Sequence, residues 1–181
     1  MMVESGPKGQ LSNIDVLLSE AVVMVDQTDN VADMRNLIED PVVSDLLGFE
    51  LLGDFSTIDE DSQMAVAKAL IADYDVDQPA KSAAMISETY QSEVKRQVQL
   101  GQLIDRIQEA EDDRTIREMI EQRDAAAILQ LDVTDAYYGM KEETKRHVAK
   151  RLAGACIGDS VQDMVYQIRS AFHQDCETES R

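Results

Sequence analysis

The chain repeats itself at a separation of 82 residues. That shift carries Arg35, Ile38 and Glu39 onto Arg117, Ile120 and Glu121, and Leu47 onto Leu129. It also carries Val66, Ala67, Lys68 and Leu70 onto Val148, Ala149, Lys150 and Leu152. No gap is needed from Val16/Val98 to Tyr90/Phe172, and 13 of those 75 pairs are identical. Apolar pairs match as well: Met34/Ile116, Leu37/Met119, Leu46/Ile128, Phe49/Leu131, Phe55/Tyr137 and Ile58/Met140. Chance does not align the apolar phase of every segment, so a packing unit is present twice. A duplicated unit without a duplicated reactive residue points to scaffolding or binding rather than chemistry.

Each copy must fold from a palette poor in aromatics (4 %, no Trp) and rich in Ala, Leu, Ile, Val and Met. That palette favours helices over sheets. The chain is therefore expected to be all-α, with two tandem four-helix repeat units of about 82 residues, 11–92 and 93–174. Residues 1–10 and 175–181 are expected to form a loose start and a loose end.

In the first copy Ile14, Leu17, Leu18, Ala21, Val22 and Val25 form one helical stripe. Asn30 is placed to cap a second helix with Val31, Met34, Leu37 and Ile38 on one face, and Pro41 ends it or starts a short new one. Phe49, Leu51, Phe55 and Ile58 are expected to tuck under the bundle from the loop that follows. Thr57 and Glu60 have capping-box spacing before a third helix over 59–72, which buries Met64, Val66, Ala67, Leu70 and Ile71. Asp77 is the expected cap of the fourth helix, and Asp159 is its counterpart. From Ala80 to Ala110 only Gly101 interrupts the helical spacing, which predicts one helix shared by both copies, roughly 45 Å long at 1.5 Å per residue. In the second copy Asp112 or Asp113 caps, 125–129 replaces the Pro41 region, and helices follow over 141–155 and 159–172.

The net charge of −19 is uneven. Residues 1–92 hold 18 acids and four bases, a net of −14, whereas 93–181 hold 18 acids and 13 bases, a net of −5. Such a surface repels phosphate backbones and favours a protein partner with a basic face. No apolar run is long enough to span a membrane and no leader is visible, so a cytoplasmic or virion location is expected.

The matched residues resemble a short helical repeat of Gram-positive bacterial surface proteins and their phages, whose run reads roughly M-R-x-x-L-E, L-G-L-D-L, Y, V-A-x-x-L. Met34-Arg35, Ile38-Glu39, Leu47-Gly48-Phe49-Glu50, Phe55, Val66-Ala67-Lys68 and Leu70 carry it first. Arg117, Ile120-Glu121, Leu129, Leu131-Asp132, Tyr137 and Val148-Ala149-Lys150-Arg151-Leu152 carry it again. The resemblance implies an accessory module without catalytic residues.

The chemistry-bearing residues are few. His147 and His173 are the only histidines, and no nucleophile, phosphate-loop or metal motif accompanies them. No enzyme activity, cofactor or metal is expected. Asp73, Asp75 and Asp77 begin like a calcium loop, but Gln78 and Ala84 stand where Gly and Glu are required. Cys156 and Cys176 read as two free thiols. The densest acidic knot is Asp54, Asp59, Glu60 and Asp61, and Lys141, Lys145, Arg146, Lys150 and Arg151 occupy the matching helix of the second copy. These nine are the candidate partner-binding residues, and the two groups could pair head-to-tail between molecules.

Two functions fit. The first is a non-enzymatic helical-repeat protein-interaction module, phage-encoded as an accessory or structural component. The alternative is an acidic nucleic-acid-mimicking inhibitor of a basic DNA-handling protein, whose anionic stripe the 13 bases of the second half would interrupt.

Overall fold

The computed structural model describes residues 12–72, 81–131, 133 and 135–179. The protein is all-α, and one long helix carries the chain from one helix cluster into the next. The expected caps at Asp77, the calcium-like aspartates and residues 1–10 lie outside the described residues.

The first compact unit comprises residues up to 51 together with 67–91. It contains α1 (Asn13–Gln27), α2 (Val31–Glu39), α3 (Pro41–Leu47), the second half of α4 (Glu60–Ala72) and the start of α5 (Ala83–Glu109). Ser12 caps α1 through a reciprocal capping box with Asp15, and Asn30 caps α2 by accepting from Ala32 and Asp33. Asp40 accepts from Val42 and Val43 ahead of Pro41, so the proline opens a new helix. Gly48 ends it at φ 71°, a left-handed conformation that glycine adopts without penalty. The core holds Ala21, Val25, Met34, Ile38, Leu47, Phe49, Leu70, Ile86 and Tyr90. Tyr90 lies 4.4 Å from the Phe49 ring and donates its hydroxyl to the Glu50 carbonyl at 3.2 Å. Burial pushes that phenol up to about 12.

The second unit comprises residues 52–66 and those from 92 onward. It takes a short 3-10 turn (Asp54–Ser56), the first half of α4, the rest of α5, α6 (Asp113–Ile120), α7 (Arg123–Leu129), α8 (Asp135–Tyr138), α9 (Glu142–Ala155) and α10 (Val161–Glu179). Its core runs through Leu100, Ile104, Ile107, Ile116, Ile120, Leu129, Tyr137, Val148, Leu152, Ile168 and Phe172. Sequence repetition and compactness thus divide the chain differently over 52–66.

The duplication is visible element by element. Shifting α3 by 82 residues gives α7, end for end. The same shift turns the end of α1 into the end of α5, Asn30 into the α6 cap Asp112, and left-handed Gly48 into left-handed Gln130. Ile38 and Ile120, Val66 and Val148, and Ala67 and Ala149 are all fully buried. Arg35 meets Glu39 at 3.0 Å as Arg117 meets Glu121 at 2.7 Å.

Five expectations are corrected. Ile14 and Leu17 stand exposed, because the core covers α1 only around Ala21 and Val25. Met64 and Ile71 are only partly buried, at the edges of the α4 stripe. Asp59, not Thr57, caps α4, accepting from the Ser62 amide at 2.7 Å, while the Thr57 hydroxyl turns back to the Asp54 carbonyl. Ser160 caps α10 in place of Asp159, accepting from the Asp163 amide at 3.3 Å. Finally, α10 runs on through Glu179 instead of giving way to a loose end at 175, because Asp175 pairs with Arg151 and Cys176 packs against the core.

α5 is continuous across Gly101, over 27 residues. A methyl group there would meet Val161 at an ordinary 4.0 Å, so close packing does not demand the glycine. No helix among the described residues is long and apolar enough to cross a membrane.

Candidate functional site

All nine candidate residues fall in the second unit, on or next to three elements: the 3-10 turn, α4 and α9. Asp54 opens the 3-10 turn and is exposed. Glu60 and Asp61 occupy the first turn of α4, where unpaired amide groups and the helix dipole favour carboxylates.

Asp59 has a structural role. One carboxylate oxygen takes the Ser62 amide, and the other takes the Val161 amide at 2.8 Å, at the first residue of α10. A single side chain therefore serves two helix N-termini, the second of them 102 positions along the chain from Asp59. Burial raises its pKa, but the bonds from Val161 and Ser62 outweigh that and hold it below the ordinary value.

The basic group separates in the structure. Lys141 is the residue before α9 and makes no side-chain cap, and both it and Lys150 are exposed. Arg146 reaches Asp113 on α6 at 3.3 Å. Arg151 pairs with Asp175 and donates to Gln174 at 3.1 Å. Lys145 is interior, only 7 % exposed. Its ammonium lies 5.7 Å and 5.9 Å from the Tyr137 and Tyr138 rings and 3.5 Å from Glu142. Cation–π attraction and the carboxylate offset its desolvation there.

Sequence reasoning missed the centre of this region, which is Arg117. It holds Glu121 on its own helix and Glu142 on α9, tying α6 to α9. Glu121 also accepts from the buried Tyr137 hydroxyl at 3.3 Å. The hydrogen bonds to Glu121 and Glu142 raise the Arg117 pKa further, and the bond to Arg117 lowers that of Glu142. The repeated Arg–Glu pair at i, i+4 was the available signal. Beside it runs a charged groove of about 350 Å³ lined by Asp113, Arg114, Arg117, Glu118, Glu121 and Arg146. His147 and Lys150 stand on the wall of a neighbouring groove of about 580 Å³.

The remaining reactive groups stay apart. His173 is exposed, its ring edge-on to Phe172. Neither Cys156 nor Cys176 forms a disulfide, and burial pushes the Cys156 thiol up to about 11, so it stays protonated at neutral pH. Among the described residues no three His, Cys, Asp or Glu side chains are grouped to hold a metal. No protein-family model, curated protein or solved structure matches this chain.

Proposed function

We propose that the chain is a non-enzymatic helical-repeat module that binds a protein partner with a basic face. One observation carries this reading: the two copies keep the same interior and differ outside. Met34/Ile116, Ile38/Ile120, Leu70/Leu152 and Tyr90/Phe172 are buried alike. At the surface exposed Met24, Ala32 and Asp33 give way to exposed Arg106, Arg114 and Thr115. A common interior with a varied exterior suits a scaffold whose work is done by its surface.

The resemblance to repeats of Gram-positive surface proteins and their phages supports an accessory or structural role in such a system. Of the nine candidate residues, Asp54, Glu60, Asp61, Lys141, Arg146 and Lys150 are exposed, which supports a role for them in meeting a partner. The nucleic-acid-mimic reading is weaker. Arg117, Arg146 and Arg151 pair with carboxylates and interrupt any anionic stripe on the second unit.

The test reverses the charges of Asp54 and Asp61 together and measures capture of basic proteins from a native lysate over a salt series. Loss of a salt-sensitive partner in Asp54→Lys/Asp61→Lys supports the acidic knot as a docking face. Unaltered capture removes it. Sedimentation of the wild type at low and high salt tests head-to-tail pairing, and a monomer under both conditions excludes it.

A further inference from the structure

Helix α1 is apolar on two sides. Its inward side places Ala21 and Val25 in the core of the first unit. Its outward side carries Val16, Leu17, Glu20, Val23 and Met24, spaced i, i+1, i+4, i+7 and i+8 along one face. Val16, Leu17, Val23 and Met24 are 42 %, 45 %, 49 % and 47 % exposed. Isolated exposed apolar residues are ordinary, but four on one face of a helix packed on its opposite side are not.

The second copy is an internal control. At the same five positions it carries Val98, Gln99, Gln102, Asp105 and Arg106, a polar face with one apolar residue. Folding the repeat therefore does not require an apolar outward side here. Glu20 lies in the middle of the α1 face, is exposed and pairs with no cation among the described residues. The described part of the first unit holds 10 acids and three bases.

We infer that the outward face of α1 binds a cationic amphipathic helix of a partner protein. Val16, Leu17, Val23 and Met24 receive its apolar side chains, and Glu20 pairs with a Lys or Arg set among them. Charge decides the occupant. A second copy of this chain fits poorly, because a two-fold axis through the middle of the face sets Glu20 against its own counterpart. An anionic membrane surface is repelled by the same carboxylates. This inference rests on the reading of the protein as an interaction module, and it supplies the chemistry of the partner.

The probe is a fluorescein-labelled synthetic helix of about 18 residues, with Leu on one face and Lys on the other, read by anisotropy at about 0.15 M salt. The charge-neutral variant Leu17→Gln/Met24→Gln should bind at least about tenfold more weakly and melt within a few degrees of wild type, since both side chains already face water. Glu20→Gln should bind about three- to tenfold more weakly and show a shallower salt dependence. Asp45→Asn/Glu88→Gln, which neutralises two exposed acids of the same unit away from α1 and from the acidic knot, should bind within about twofold of wild type.

Equal binding by wild type and Leu17→Gln/Met24→Gln would overturn the inference, as diffuse attraction to an acidic protein. So would absence of binding, or preference for anionic vesicles over the peptide. A salt-resistant dimer lost in Leu17→Gln/Met24→Gln would overturn it in favour of a second copy. If Asp54→Asn/Asp61→Asn loses the peptide and the α1 variant does not, the module reading survives and the α1 face is ruled out.

Discussion

The two copies solve the same packing problem with different local chemistry, and the differences fall where helices end and where they face water. In the first copy Asp40 caps α3, and glycine takes the left-handed position that ends it. In the second, Gln122 makes no side-chain cap for α7, and Gln130 takes the left-handed position at φ 53°. Compensation comes from a distance, for Arg169 on α10 donates to the Leu129 carbonyl at the end of α7, at 2.7 Å. The first copy thus ends this helix with local signals, and the second adds a tertiary contact. The outward faces diverge in the same way, apolar on α1 and polar on the corresponding stretch of α5.

The equivalence is broken most readily through the cores. Leu70→Ala and Leu152→Ala should each cost about 2–5 kcal/mol in urea unfolding, because both side chains are buried and leave cavities. A cost below about 1 kcal/mol at either site would show that this copy does not depend on its core in the same way.

The helix starts come next. Asp59→Ala should cost about 1–2 kcal/mol, since it strips the Ser62 and Val161 amides of their acceptor. Lys141→Ala, at the matching position of the second copy, should cost less than about 0.5 kcal/mol because its side chain caps nothing. The Asp59 carboxyl titrates below its ordinary 3.8 when folded. Its stabilisation is therefore complete above that value and is lost as pH falls through the lower folded value. Wild type should lose more stability than Asp59→Asn as pH drops below about 4, and parallel curves would remove the double cap from the account.

Exchanging the left-handed residues sharpens the comparison at a smaller scale. Gly48→Gln should destabilise by about 1 kcal/mol, and Gln130→Gly should stabilise by somewhat less, as read from urea midpoints. Changes of the same sign would mean that Arg169 rather than backbone conformation governs the second site. The smallest effect is expected at Gly101→Ala, a gain of about 0.5–1 kcal/mol from helix propensity, because the new methyl meets Val161 at 4.0 Å without a clash. A loss in thermal melting would reveal that α5 needs freedom there.

Much of the fold was legible because its signals are short-ranged. Asn30 and Asp112 accept from amides within three residues and Pro41 fixes its own φ at the first helical position, so their roles could be read directly. The continuity of α5 followed from unbroken spacing around a single glycine. The candidate site was less legible. Lys145 shares a helix with exposed Arg146 and Lys150, and its charge gave no hint that it lies against two tyrosines. Arg117 gained its second carboxylate from α9, 25 positions away.

The residues alone were enough for the all-α class, the doubled unit and the starts of α2, α3 and α6, because helical period and capping are settled within a turn or two of chain. Only the tertiary structure decided that Asp59 reaches a second helix, that Lys145 turns inward and that α1 keeps an apolar side in water. Those outcomes depend on which elements come to lie against each residue, and local propensity carries no record of its distant neighbours.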